Sequence, residues 1–245
     1  MENIQEEKNE PTFSFTEGEV LLVDKPLTWT SFDVVGKLRN TMKSLKLKVG
    51  HAGTLDPLAT GLLIICTGKF TKKIDSFQAE NKEYTGTITL GATTPSYDLE
   101  TKIDQTFDIG HLTEDQIKEA AQSFIGELDQ FPPAHSAIKI NGERVYEKAR
   151  RGEEVELKSR KVTIHEFEIE KIEFPLIFFK IRCSKGTYIR SIAHDFGKAL
   201  HNGAHLSSLR RTMSGDFHVD NAWNLEDLIQ TIRAQKSAVI EKRPL

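Results

Sequence analysis

The stretch VGHAGTLDPLATGLL, from Val49 to Leu63, carries a single carboxylate, Asp56, among glycines, alanines and leucines. Pro57 pushes Asp56 toward extended backbone, and Gly50 and Gly53 allow a tight turn on its other side. Together they aim one acid in a fixed direction. No other acid lies between Val34 and Leu55, so a two-carboxylate pair would need a distant partner. A nucleophile or a single general base fits better. In isolation the Asp-Pro pair also fits an ordinary turn start.

A cation able to hold that acid occurs in SKGTYIR, Ser184 to Arg190. Thr187 is the expected helix cap. Arg190 then falls near the third helical position, where a capping box favours Glu or Gln and the positive helix end disfavours a cation. Breaks of a local rule are expected where function outweighs propensity. A guanidinium there can lock a carboxylate in a bidentate pair, with Asp56 the obvious candidate; an arginine reaching solvent is the alternative. Tyr84 and Tyr188, amid basic sequence, suit stacking on a nucleobase. Pattern alone also allows Tyr84 to be a core residue and His51 a satisfied loop histidine. Cys66 and Cys183 offer no metal-ligand spacing, so zinc is not expected and a reducing, cytoplasmic setting is.

These residues need elements to position them. EVLLVDKP reads as a strand over Val20–Asp24, and TSFDVVGKLRNTMKSLK as a helix capped by Thr30 or Ser31. A Gly-rich loop follows, then the short buried strand LLIICTG. KEYTGTITLG alternates, with Tyr84, Ile88 and Leu90 on one face. TEDQIKEAAQSF is a helix with a Thr113–Gln116 capping box, and GERVYEKARRG a helix ended by Gly152. Two strands, VTIHEFEIEKIEF and IFFKIRCS, precede the helix bearing Arg190, whose apolar stripe includes Ile192, Phe196 and Leu200. A strand near LSSLRRT and a helix near NLEDLIQTI end the pattern. Strands cluster without regular βα alternation, which points to an α+β fold.

The 245 residues, 38% hydrophobic and 28% charged, suit one large core or a core plus a small appendage, and no apolar run is long enough for a membrane helix. The net charge of −3 conceals two basic segments. Five bases and no acids lie between Val34 and Leu55; six bases and one acid lie between Arg182 and Arg211. A phosphate backbone feels local charge, so an RNA partner stays open.

VGHAGTLDPLATGLL resembles the active-site motif of the TruB family, the bacterial synthases that convert uridine 55 in the T loop of tRNA to pseudouridine. LLVDKPLTWTS, KEYTGTITLG, QFPPAHSAIKINGERVYEKARRG and CSKGTYIRSIAHDFGKAL resemble its other motifs, in family order, from about Val20 to Arg211. The resemblance implies a mixed, largely antiparallel central β-sheet with flanking helices and an active-site cleft, and neither cofactor nor metal. It puts Asp56 at the nucleophile, Arg190 at its partner, and Tyr84 at the tyrosine packed on the target base and proposed as a proton acceptor. His51 matches the histidine that helps fill the place of the flipped nucleotide. Tyr188 and Leu209 match residues lining the uracil pocket, and Lys25 the lysine supporting it.

The implied organisation is a flexible leader (1–19), a catalytic domain (20–235) with an RNA-contacting insertion at about 130–160, and a tail (236–245), without a C-terminal PUA domain. The implied partner is the T-arm of tRNA, with no guide RNA; a monomer is the default expectation for one compact catalytic domain. Thr28 stands where the family usually has glycine, His135 where tyrosine is common, and TTPSYDLET departs from the usual loop while keeping Asp98. A tRNA-folding chaperone and a guide-RNA-dependent, dyskerin-like synthase are the competing readings. A glycosidase is weaker, since no second carboxylate stands near Asp56.

Overall fold

The computed structural model describes residues 13–14, 17–133, 139–140, 143–144 and 158–241. The first strands are β1 (Val20–Lys25), β2 (Val49–Ala52), β3 (Ala59–Thr67) and β4 (Lys82–Leu90). Two short hairpins pair β5 (Ala92–Thr93) with β6 (Gln105–Thr106), and β8 (Lys139–Ile140) with β9 (Glu143–Arg144). The remaining strands are β7 (Gly126–Gln130), β10 (Arg160–Glu173), β11 (Leu176–Cys183), β12 (Ala204–Ser214), β13 (Phe217–His218) and β14 (Trp223–Asn224). Five α-helices occur among the described residues: α1 (Ser31–Thr41), α2 (Ile74–Ala79), α3 (Glu114–Ser123), α4 (Ile189–Ala199) and α5 (Leu225–Glu241).

Ten strands form one sheet in the order β14-β1-β3-β12-β4-β11-β10-β7, with β2 added beside β3 and β13 beside β12. Only the β1–β14 and β3–β12 pairings are parallel, so the expected mixed, largely antiparallel α+β sheet is present. Its centre is what positions the site. β12 lies between β3 and β4, with Leu209 level with Ala59 on one side and Gly86 on the other, and Arg211 level with Tyr84. Gly86 is required there, because a Cβ would fall 2.4 Å from Ser208 O and 2.8 Å from the Phe179 ring.

Alternation in β4 and β11 buries Ile88, Ile177, Phe179 and Ile181 beneath Ile192 and Phe196 of α4. A second core packs Val34 and Leu38 of α1 and Leu228 and Ile229 of α5 against Leu21, Val23, Leu63 and Ile65. The expected capping box forms at Thr113–Gln116, and of the two candidate caps of α1 it is Thr30 that caps, in a box with Asp33. No helix among the described residues is long and apolar enough to cross a membrane.

Several expectations are corrected. Val49–Ala52 is a strand and not loop, because β3 offers it a ladder, and Gly50 packs closely there, its Cβ position lying 2.8 Å from the terminal methyl of Ile74. The first helix stops at Thr41 and continues only as a 3₁₀ turn. Glu143–Arg144 is hairpin where a helix was expected; the rest of that segment, with most of the proposed insertion and His135, lies outside the described residues. The last helix runs to Glu241, across the boundary expected at 235. Most of the leader also lies outside them, but Phe13 packs against Trp223 with ring centres 6.1 Å apart and donates its N–H to Gln235 Oε1 at 3.0 Å.

Candidate active site

The loop between β2 and β3 carries Asp56. Gly53 turns it, with φ at +87°, and Ser31 at the start of α1 pins it: the Leu55 N–H donates to Ser31 Oγ at 2.9 Å, and Thr28 N–H donates to Pro57 O at 2.8 Å. Thr28 holds that bond with φ at +71°, a backbone region that glycine enters without strain. Lys25, fully buried, donates to Trp29 O at 2.6 Å, Pro26 O at 3.0 Å and Pro57 O at 3.4 Å. It ties β1, the turn after it and the Asp56 loop together. Burial lowers its pKa to about 8, against the pull of Asp56 in the other direction.

Asp56 meets Arg190 across the molecule, with Oδ2 2.9 Å from Arg190 Nε. Arg190 is buried and lies 3.6 Å from Asp98 Oδ2, and it donates to Ser96 O at 3.2 Å. One guanidinium therefore stands between two carboxylates, one buried and one open to the cavity. Burial raises the Asp56 pKa above its ordinary value, Arg190 opposes the rise, and Asp98 adds to it. The Arg190 position needs correction: Tyr188, not Thr187, is the residue before the helix, so Arg190 is the second helical residue, and the Thr187 hydroxyl donates to Ser184 O instead. The physical conflict stands, since no acid offsets the cation in that first turn.

Asp56, Tyr84, Tyr188, Arg190 and Leu209 line one cavity of about 330 Å³. That is within the usual size of small-ligand sites. Lys25 and His51 do not line it. Lys25 acts on the loop from behind, and His51 lies on β2 edge-on to Phe32 at 5.2 Å. Burial, then the nearby Arg211, lowers the His51 pKa and so favours the neutral imidazole. Gln130 clasps the backbone of Tyr188, accepting its N–H at 2.7 Å and donating to its carbonyl at 3.0 Å, while the Arg160 guanidinium sits 4.3 Å from the centre of its ring.

Three further residues at the site are not identified by sequence reasoning. Asp98 stands out there only as a retained loop acid. Lys82 lines the cavity, buried, with Nζ donating to Phe77, Gln78 and Glu80 carbonyls at the end of α2; Arg211 lines it too. The period-2 rule offers the signal, because Lys82 is two residues before Tyr84 and Arg211 two after Leu209. The loop around Asp98 is closed by its own departures: Ser96 Oγ and Thr101 Oγ1 are 2.8 Å apart, and Thr94 Oγ1 donates to Asp98 O at 2.6 Å. Tyr97 in that loop stacks on His194 of α4, ring centres 3.8 Å apart. The second basic segment is also less exposed than its composition implies: Arg190 and Arg211 are buried, and Arg210 makes a two-point pair with Asp24 at 3.0 and 2.7 Å.

With this geometry in hand, comparison with known proteins is decisive. Residues 39–189 match the N-terminal domain of the TruB family pseudouridylate synthases, and residues 190–243 the tRNA pseudouridylate synthase B C-terminal domain. The chain belongs to the TruB family. It is 61% identical over 213 residues to tRNA pseudouridine synthase B of Flavobacterium johnsoniae, covering 85% of this chain and 93% of the relative. The same-named protein of Phocaeicola vulgatus is 51% identical over 227 residues, 91% of this chain and 97% of that one. Among solved structures, a chain of a Cbf5-Nop10-Gar1 complex superposes with a TM-score of 0.71 at 31% identity, over 93% of this chain. This chain spans only 58% of that one. The two matched TruB segments meet between Ile189 and Arg190, within α4, and both contribute strands to the one sheet.

Proposed function

We propose that this protein isomerises uridine 55 in the T loop of tRNA to pseudouridine, with Asp56 as the reacting carboxylate. The observation that carries this reading is the Arg190-held Asp56 at the edge of a cavity of about 330 Å³ walled by Tyr84, Tyr188 and Leu209. The family and the names of its relatives support the reaction and the tRNA substrate.

The target nucleotide leaves its stack to enter the cavity, since neither N1 nor C5 is reachable within it. The C1′–N1 bond breaks, the base turns, and C5 joins C1′. Asp56 attacks C1′, removes a proton from C2′ to give a glycal, or adds to C6 of the base; each route needs one ionised carboxylate fixed in place. Arg190 favours that ionised form and holds its direction, and Asp98 fixes Arg190 in turn. Tyr84 and Tyr188 pack on the base, Leu209 closes the pocket, and His51 helps fill the place that the flipped nucleotide vacates. Lys25 keeps the Asp56 loop seated. The enzyme acts in the cytoplasm as a monomer, without cofactor, metal or guide RNA.

The test is incubation of the purified protein with an unmodified T-arm hairpin and no other RNA or protein. Pseudouridine at the position equivalent to 55 supports the reading. Conversion only with added guide RNA supports the dyskerin-like alternative, and binding without conversion the chaperone.

A further inference from the structure

Tyr97 holds φ at +65°, a backbone region that a bulky residue keeps only where its surroundings enforce it. It lies in the loop after β5, between Ser96, whose carbonyl accepts from Arg190 at 3.2 Å, and Asp98, whose carboxylate faces the same guanidinium. Its ring is stacked on that of His194, with centres 3.8 Å apart and planes 9° from parallel. His194 follows Arg190 by four positions on α4, a spacing that puts both on one helix face. That face of α4 thus holds three consecutive loop residues: Arg190 takes Ser96 and Asp98, and His194 takes Tyr97 between them. The loop's other bonds are of a different kind. Thr94, Ser96 and Thr101 tie it to itself through their hydroxyls, and the Tyr97 carbonyl accepts the Leu206 N–H of β12 at 2.8 Å. What the Tyr97 ring adds is a contact with the helix that carries Arg190.

From this arrangement we infer that Tyr97 and His194 are positioning residues of the reaction: their stack seats the Asp98 loop on α4 and so fixes the Arg190 guanidinium that aims Asp56. This rests on the function proposed above. Asp56 and Asp98 approach the same nitrogen, Arg190 Nε, at 2.9 and 3.6 Å. A loop that shifts along α4 therefore changes how one N–H is divided between the two acids, and with it the direction of the acid that faces the cavity. Misplacing a reacting group by about 1 Å can cost about 10²-fold in rate. Neither ring lines the cavity, so both act through Ser96, Asp98 and Arg190 and not on the nucleotide. The stack also accounts for a bulky side chain at a left-handed position, where glycine would relieve the backbone but leave the loop without its hold on α4.

The experiment is single-turnover conversion of the T-arm hairpin at saturating enzyme, run below the melting transition of every variant, with Kd measured alongside. Tyr97→Gly, which meets the backbone angle without strain, should slow conversion about 10- to 100-fold with Kd changed less than about threefold. Tyr97→Phe, which keeps the ring, should recover that loss to within about threefold of the wild type. His194→Ala should reproduce the Tyr97→Gly loss, and the two together should be no more than about threefold slower than either alone, as one shared contact requires. Tyr97→Gly at the wild-type rate, multiplying losses in the double variant, or a defect confined to Kd or to the melting temperature overturns the inference. Should Tyr97→Gly not fold, His194→Ala decides by its own rate, and conversion within about threefold of the wild type overturns the inference. A wild-type protein inactive on the hairpin would instead remove the proposed function, and this inference with it.

Discussion

Arg190 Nε lies 2.9 Å from Asp56 Oδ2 and 3.6 Å from Asp98 Oδ2, so one buried guanidinium serves an acid from the β2–β3 loop and another from the loop after β5. The first acid faces the cavity and the second is shut away, which separates a reacting group from an anchoring one. Consequences for each partner differ.

Asp56→Asn should slow conversion by at least about 10³-fold while leaving RNA affinity near that of the wild type. Because the folded protein raises the Asp56 pKa, it disfavours the ionised form relative to the unfolded chain. A neutral isostere should therefore melt no lower than the wild type at neutral pH. Single-turnover kinetics and thermal unfolding check both statements.

Arg190→Met should damage stability as well as rate. It leaves Asp98 buried without its cation, a loss of about 3–5 kcal/mol for breaking a buried pair. The unfolding midpoint should fall by roughly 10 °C for a chain of this size. A variant that melts with the wild type would show that Arg190 serves chemistry alone.

Thr28→Gly should stabilise the protein. A β-branched residue at φ +71° costs about 1–2 kcal/mol, partly offset by the greater freedom glycine gains in the unfolded chain. A rise of roughly 1–4 °C in the midpoint is expected, and the Thr28 N–H to Pro57 O bond needs no side chain.

Stability should rise between pH 8 and 9. Lys25 and Lys82 titrate at about 8 when folded, both chiefly through burial, and at 10.5 when unfolded, so the unfolded chain binds more protons above pH 8. Above pH 9 the buried thiols of Cys66 and Cys183, pushed up from 9.0 to about 11, act in the opposite sense and end the rise. Urea unfolding at closely spaced pH values measures the slope, and Lys25→Met should flatten it.

RNA affinity should fall steeply with salt despite the net charge of −3. Lys185 is exposed in the turn between Ser184 and Gly186, both of which line the cavity. Lys185→Ala should reduce the slope of log K against log salt by about one and weaken all RNA sequences alike. Affinity that is flat between low and physiological salt would contradict this.

Local chemistry made part of this protein legible without coordinates. Pro57 and the glycines marked Asp56, a Thr30 or Ser31 cap marked the start of α1, a capping box marked α3, and alternation marked the buried face of β4, because each depends only on neighbours in the chain. Placing Arg190 third in its helix was a boundary error of one position, and it left the rule break intact. Tertiary structure alone decided what those residues meet. Val49–Ala52 became a strand because β3 supplied its hydrogen bonds, and Lys82 and Arg211 joined the site because β12 inserts between β3 and β4. In the sequence Arg211 is only one of six bases between Arg182 and Arg211, because chain order does not reveal which strands become neighbours. Pairing between distant strands is set by the packing of the whole sheet, and at its centre the Asp56 carboxylate, the Arg190 guanidinium and the Tyr84 phenol come to share one hollow.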